Sequence, residues 1–340
     1  MLRTPVVLIT GAGGEIGHGL ITQLAATGRQ RIVTLDLTRL DAAIQPLVSR
    51  EFTGSILDTA LLERILAEFE VDLVFHLAAL LSTRSEFTPV MAHQVNVEGT
   101  LTLLEFAQRE GESHGRTVVF VYPSSIAAYG LPDVETRRSV GRVSEDQFNQ
   151  PTTMYGCNKL YCEHLGTYYA RHYKQLSVEP AASRVDFRSI RFPGLISAAT
   201  LPAGGTSDYA PEMLHAAARG EAYDCFVRPD TRIPFMAMPD AVTALLQLAA
   251  APRDRLTRTT YNIGAFNPSA DEIRTRVLDM FPGASIGYRL DARRQGIVDS
   301  WPEDVDDSAA RADWDYAPAY DVDRAFHEYL LPGITARYQR

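Results

Sequence analysis

The chain has 340 residues, 46% of them hydrophobic and 22% charged, and carries a formal net charge of −9. That length suits one large domain or a main domain with a smaller companion, in a composition ordinary for a globular protein. The acidic balance speaks against nucleic acid and against a polybasic membrane contact, and no run of about 18 apolar residues suggests a transmembrane helix.

From the N-terminus, short apolar runs alternate with helical patterns. "VVLIT" (6–10) reads as a strand, followed by a helix over 15–27, and the run is too short for a signal-peptide core. "RIVTLD" (31–36), "DLVFHLA" (72–78), "TVVFVY" (117–122) and "VDFRSIRF" (185–192) read as further strands, with helices near 59–69, 91–110 and around "MYGCNKLYCEH". Continuous β-branched runs separated by helices predict right-handed βαβ crossovers and an α/β, Rossmann-like, doubly wound parallel sheet. The polar segment 131–150 reads as a surface excursion between a strand and the next helix. After residue 193 proline and glycine become frequent, and a smaller, mostly helical part is expected over 194–340, with "TTYNIG" (259–264) as a strand that could return to the sheet. Cys157, Cys162 and Cys225 match neither zinc spacing nor Cys-x-x-Cys, so reduced thiols, no metal site and a cytoplasmic location are expected.

Gly11, Gly14 and Gly17 follow the first strand directly and open the first helix. Glycines there allow a tight turn and close backbone approach to a pyrophosphate at a helix N-terminus, and a structural turn is the plainer alternative. Asp36 ends the second strand, 19 residues after Gly17, where an acid would bind the adenosine ribose and repel a 2′-phosphate, favouring NAD over NADP. It could also simply cap a turn. Tyr155 and Lys159 lie one helical turn apart, either as a solvated pair or as a phenol whose proton an ammonium group manages. Ser124 and Ser125 follow a strand at the sheet edge where ligands of such folds bind.

Together "TGAGGEIG", "FHLAA", "NVEGT", "SSIAAYG", "YGCNK" and "RFPG" resemble the extended short-chain dehydrogenases/reductases, the superfamily of nucleotide-sugar epimerases and related dehydrogenases, over residues 6–194. The resemblance implies an NAD-binding region over 1–193 and a substrate-binding part over 194–340. It gives Tyr155 the role of general acid/base, Lys159 that of ribose ligand and modulator of the phenol, and Ser125 a hydrogen bond to the reacting hydroxyl. Cofactor contacts are implied for Gly11, Gly14, Glu15, Ile16, Gly17, Asp36, Ser55, Ile56, Leu77, Ala78, Ala79, Asn96 and Pro193, besides Tyr155 and Lys159. Ser55 stands where the family usually has an aspartate against the adenine, with Asp58 as a substitute if the register slips. Ile126 and Ala127 replace the acid–base pair of sugar dehydratases, and Gly194 replaces the asparagine that meets a nucleotide sugar.

More narrowly, "HLAALLS", "PSSIA", "RFPGLIS", "GGTSDYA", "FMAMPDA" and "DSWPEDVDDSAARADW" resemble the short-chain-type L-threonine 3-dehydrogenases. This implies that Ser82, Thr206 and Trp301, with Ser125 and Tyr155, contact a small substrate. Two departures are visible. Segments 131–150 and 175–184 look longer than in that group, and Arg84 is an extra cation that could meet a carboxylate or stay solvated. The resemblance therefore implies a homodimeric NAD-dependent dehydrogenase, its helices near 91–110 and 152–173 pairing with their mates. An epimerase, a sugar-acid dehydrogenase and a non-catalytic NAD-sensing protein stand as alternatives.

Overall fold

The computed structural model describes residues 4–28, 31–178, 182–202 and 204–338, so part of the longer segment 175–184 lies outside the described residues. Seven strands form the main sheet: β1 (Thr4–Thr10), β2 (Ile32–Asp36), β3 (Arg50–Thr53), β4 (Phe69–His76), β5 (Val118–Ser125), β6 (Val185–Phe192) and β7 (Thr260–Asn262). Their order is β7-β6-β5-β4-β1-β2-β3, and every pairing is parallel. The order turns back at β1 and β4, which opens a crevice at the carboxyl ends of those strands.

The helices that matter for the site are α1 (Glu15–Thr27), α2 (Thr59–Glu68), α3 (Gly99–His114), α4 (Met154–Arg171), α5 (Tyr209–Arg219) and α6 (Met238–Ala250). Strand periodicity divides them between two faces. Val7 and Ile9 pack with Leu20, Leu24 and Leu245 of α1 and α6, whereas Val6 and Leu8 pack with Leu62, Leu103 and Leu104 of α2 and α3. A third cluster, built largely from residues after 193, includes Tyr209, Met213, Phe235, Val298 and Trp301. Among the described residues no helix is long and apolar enough to cross a membrane.

Two features depart from the sequence reading. The segment 131–150 is no surface excursion: it contains a helix (Val134–Ser139) and a strand (Arg142–Val143) that pairs with Asp304–Val305. Arg137 within it is only 2% exposed, because its charge meets Glu303 and the carbonyls of Trp301 and Arg232. Strand β3 has no apolar run to reveal it. It lies at the sheet edge and buries only Phe52 fully.

Candidate active site

The turn after β1 is built for close approach. Gly11 sits at φ +67°, and a Cβ there would fall 2.5 Å from the Ala78 nitrogen. Gly14 precedes α1 with no side chain capping the helix, which leaves its first N–H groups free for an anion. Asp36 accepts from the Gly13 N–H at 2.9 Å and so ties the end of β2 to this turn. These residues, with Glu15, Ile16 and Gly17, line one end of a cavity of about 640 Å³. Ser55 and Ile56 line it too. Asp58 does not: its carboxylate caps α2 by accepting from the Leu61 N–H at 3.1 Å. The donors and the uncapped helix end fit a dinucleotide.

Beyond β4, Leu77, Ala78, Ala79 and Ser82 continue the cavity wall. Asn96 does not reach it. Its amide clamps the Leu80 backbone instead, accepting from the N–H at 2.7 Å and donating to the carbonyl at 3.1 Å. Asn96 thus holds the cavity wall in place without lining it. His76, bonded to the hydroxyls of Thr10 and Thr100, is a buried strut whose pKa burial pushes down to about 3.

Ser125 ends β5 and Tyr155 and Lys159 face it from the first turns of α4. Thr153 caps that helix through the Gly156 N–H at 3.1 Å. Gly156 lets α4 approach the turn after β5, since a Cβ would lie 2.0 Å from the Ala127 carbonyl oxygen. The Ser125 hydroxyl stands near enough to the Tyr155 phenol to favour its ionised form. Lys159 is buried, donates to the Pro123 carbonyl at 2.6 Å, and stands 5.4 Å from the centre of the Tyr155 ring. Burial pulls its pKa down to about 8, opposed by Cys162 and Glu163. The resemblance implied a phenol acidified by this lysine. In the protein alone, burial instead pushes Tyr155 above its usual range, with only Ser125 opposing.

Behind these groups lies a buried network that the sequence reading missed. Glu163 accepts from the Ser124 hydroxyl at 2.5 Å and from Arg191 on β6 at 2.9 and 2.6 Å. Arg191 also donates to the Glu145 carbonyl at 3.0 Å, and Glu145 accepts from the Asn262 N–H of β7. A signal existed: Glu163 follows Lys159 by one helical turn, and an arginine inside a strand buried on both faces needs an acid.

The other wall comes from the second half. Pro193, Gly205, Ser207, Asp208 and Trp301 line the cavity, whereas Thr206 is buried behind it, bonded to Ser82. Arg137 donates to the Trp301 carbonyl at 2.7 Å and holds that residue in place. Far from the cavity, Glu70, Asp72 and His114 could hold a metal ion by distance, yet Arg116 already pairs with both carboxylates.

A parallel sheet with a glycine turn at its reversal point, and a Ser–Tyr–Lys set across the crevice, defines a nucleotide-dependent oxidoreductase of the short-chain type. The NAD dependent epimerase/dehydratase family model matches residues 7–264, and the chain belongs to that family. It is 35% identical over 340 residues to an uncharacterised epimerase/dehydratase of Staphylococcus haemolyticus, covering 98% of each chain. It is 34% identical to the mitochondrial L-threonine 3-dehydrogenase of Bos taurus, over 93% of this chain and 79% of that one. A solved monomeric L-threonine 3-dehydrogenase from a metagenome superposes with a TM-score of 0.84 at 32% identity, covering 97% of this chain and 99% of the other. The chain is thus an enzyme of NAD-dependent dehydrogenase type.

Proposed function

We propose that the protein uses NAD to oxidise the secondary alcohol of a small polar substrate, with L-threonine, giving 2-amino-3-ketobutyrate, as the best candidate. The observation that carries this reading is the placement of Ser125, Tyr155 and Lys159 on the wall of one cavity with the glycine turn. Likeness to L-threonine 3-dehydrogenases along nearly the whole chain supports the substrate.

In this reading Gly11–Gly17 and Asp36 hold the dinucleotide, with Lys159 at its nicotinamide ribose. Bound there, NAD would supply the acceptor for the hydride that leaves C3 of the alcohol and a positive charge beside the phenol. Tyr155 Oη takes the hydroxyl proton, and Ser125 orients that hydroxyl. A phenol raised by burial needs that added positive charge before it serves as a base near neutral pH. Residues 1–193 form the cofactor part and 194–340 the substrate part, although α6 and β7 of the latter pack on the sheet. Exposed Leu101 on α3, and Tyr161 and Tyr168 on α4, support a homodimer through those helices. Sedimentation at micromolar protein tests it, and a monomer rejects it.

The decisive experiment follows NADH absorbance with NAD and L-threonine, alongside sugar acids and polyols. NADH production from L-threonine is expected. Its absence, with oxidation of a sugar acid, would reject the threonine assignment and leave the dehydrogenase reading in place.

A further inference from the structure

Among the described residues two cations, Arg84 and Lys159, line the cavity, and they are held very differently. Lys159 is buried and bonded to a backbone carbonyl. Arg84 is exposed on the short helix Ser82–Phe87, and no carboxylate among the described residues lies within ion-pair distance of it. Guanidinium stays charged at any physiological pH and presents a planar fork of donors that matches a carboxylate. The wall around it is largely apolar, with Leu80, Leu81, Met91, Val95 and Trp301 on the same cavity. Apolar walls of low dielectric screen a charge poorly, so its field reaches into the cavity.

The contacts of this helix place Arg84 on the substrate side. Its Glu86 accepts from the Met154 N–H at 2.7 Å, which fixes the helix against the start of α4, next to Tyr155. Thr83 donates to the Gly204 carbonyl at 2.5 Å, and Ser82 accepts from Thr206, so the other side rests on the 204–208 loop. The pyrophosphate donors belong to a different end of the cavity, at Gly11–Gly17. Arg84 thus lines the cavity from a helix anchored between Tyr155 and the 204–208 loop, the end at which the group that Tyr155 would deprotonate belongs.

We propose that Arg84 is a specificity-determining residue that binds the carboxylate of the substrate. The proposal rests on the dehydrogenase reading of the site and narrows its substrate to a small hydroxy acid. A molecule of this size buries little apolar area, so its orientation depends on a few charged contacts. The Ser82–Thr206 pair offers no cation, and both Thr206 donors are taken up by the Ser82 hydroxyl, which leaves that hydroxyl's own proton as the pair's one donor toward a ligand.

The test compares L-threonine with L-threoninamide, which keeps the hydroxyl and amine but lacks the carboxylate, in the native enzyme and in Arg84→Gln and Arg84→Lys. NADH formation gives kcat and KM, and calorimetry gives NAD affinity. For L-threonine, Arg84→Gln is expected to lower kcat/KM about tenfold or more, chiefly through KM, as loss of a charge-assisted hydrogen bond would. Arg84→Lys should recover part of that loss. The amide should be a poor substrate for the native enzyme, changed less than threefold by Arg84→Gln, and NAD affinity should stay within twofold. Equal losses for acid and amide, or no loss for either, overturn the proposal. L-Threonate serves as a second carboxylate. If it is oxidised with the same Arg84 dependence while L-threonine is not, the threonine assignment fails and Arg84 keeps its role. If neither carboxylate is oxidised, both readings fall.

Discussion

Ser82 and Thr206 are 124 positions apart in the chain, yet the Ser82 hydroxyl accepts both the backbone N–H and the hydroxyl of Thr206, at 3.2 Å each. This contact joins the helix after β4 to the loop before α5 and closes that end of the cavity. Either side chain acts largely through the other. Ser82→Ala and Thr206→Ala should each lower kcat/KM for L-threonine about tenfold without weakening NAD binding, and the double variant should be little worse than either single one. Losses that multiply in the double variant would show that the two residues act separately.

Tyr155→Phe keeps the ring and removes the proton acceptor. A fall in turnover of about 10²–10⁴-fold is expected, with NAD still bound in a calorimetric titration. Near-normal turnover would take the catalytic role away from Tyr155.

Asp36 stands at the end of β2 and bonds the glycine turn. A carboxylate there favours ribose hydroxyls and repels a 2′-phosphate, so the native enzyme should prefer NAD to NADP and Asp36→Ala should prefer it less. Equal use of the two cofactors by the native enzyme contradicts this.

Glu163 and Arg191 form a buried ion pair at 2.6 Å behind Ser124 and Ser125. Removing one partner leaves an uncompensated charge. Arg191→Met should cost about 3–5 kcal/mol in urea unfolding, and Glu163→Leu combined with Arg191→Met should cost clearly less than Arg191→Met alone. A double variant less stable than that single one would show the pair to be of little consequence.

Glu15 opens α1 on the cavity wall, where burial and the Asp208 carboxylate push its pKa up to about 7 from an ordinary 4.5. Between those values the unfolded chain gives up the proton while the native state keeps it. Stability from this group is therefore complete below pH 4.5 and lost as pH rises through 7. Melting curves at pH 5 and pH 8 should show the native protein losing more stability than Glu15→Gln over that interval. NAD affinity should also fall above pH 7 in the native protein more than in the variant, because the ionised carboxylate lies beside the pyrophosphate donors. Identical pH profiles for the two proteins would remove Glu15 from both effects.

Local pattern carried much of the architecture. The strands at 6–10, 31–36 and 185–192, the glycine turn and the one-turn spacing of Tyr155 and Lys159 are written in consecutive residues, because strand and helix periodicities are properties of the backbone itself. Edge strand β3 escaped, since a strand with one buried side chain has no apolar run. Charged residues misled for a related reason. Arg137 lies in a segment that reads as a surface excursion, and Glu163 and Arg191 draw no reading, until partners from distant segments are brought beside them; burial without those partners would be prohibitive. The sequence by itself determined the sheet, the glycine turn and the helix that carries Tyr155 and Lys159. Only the tertiary structure decided that Thr206 lies behind Ser82, that Asn96 holds the wall, and that Arg84 reaches the cavity with no ion-pair partner among the described residues, because each depends on which remote side chain arrives within a few ångströms.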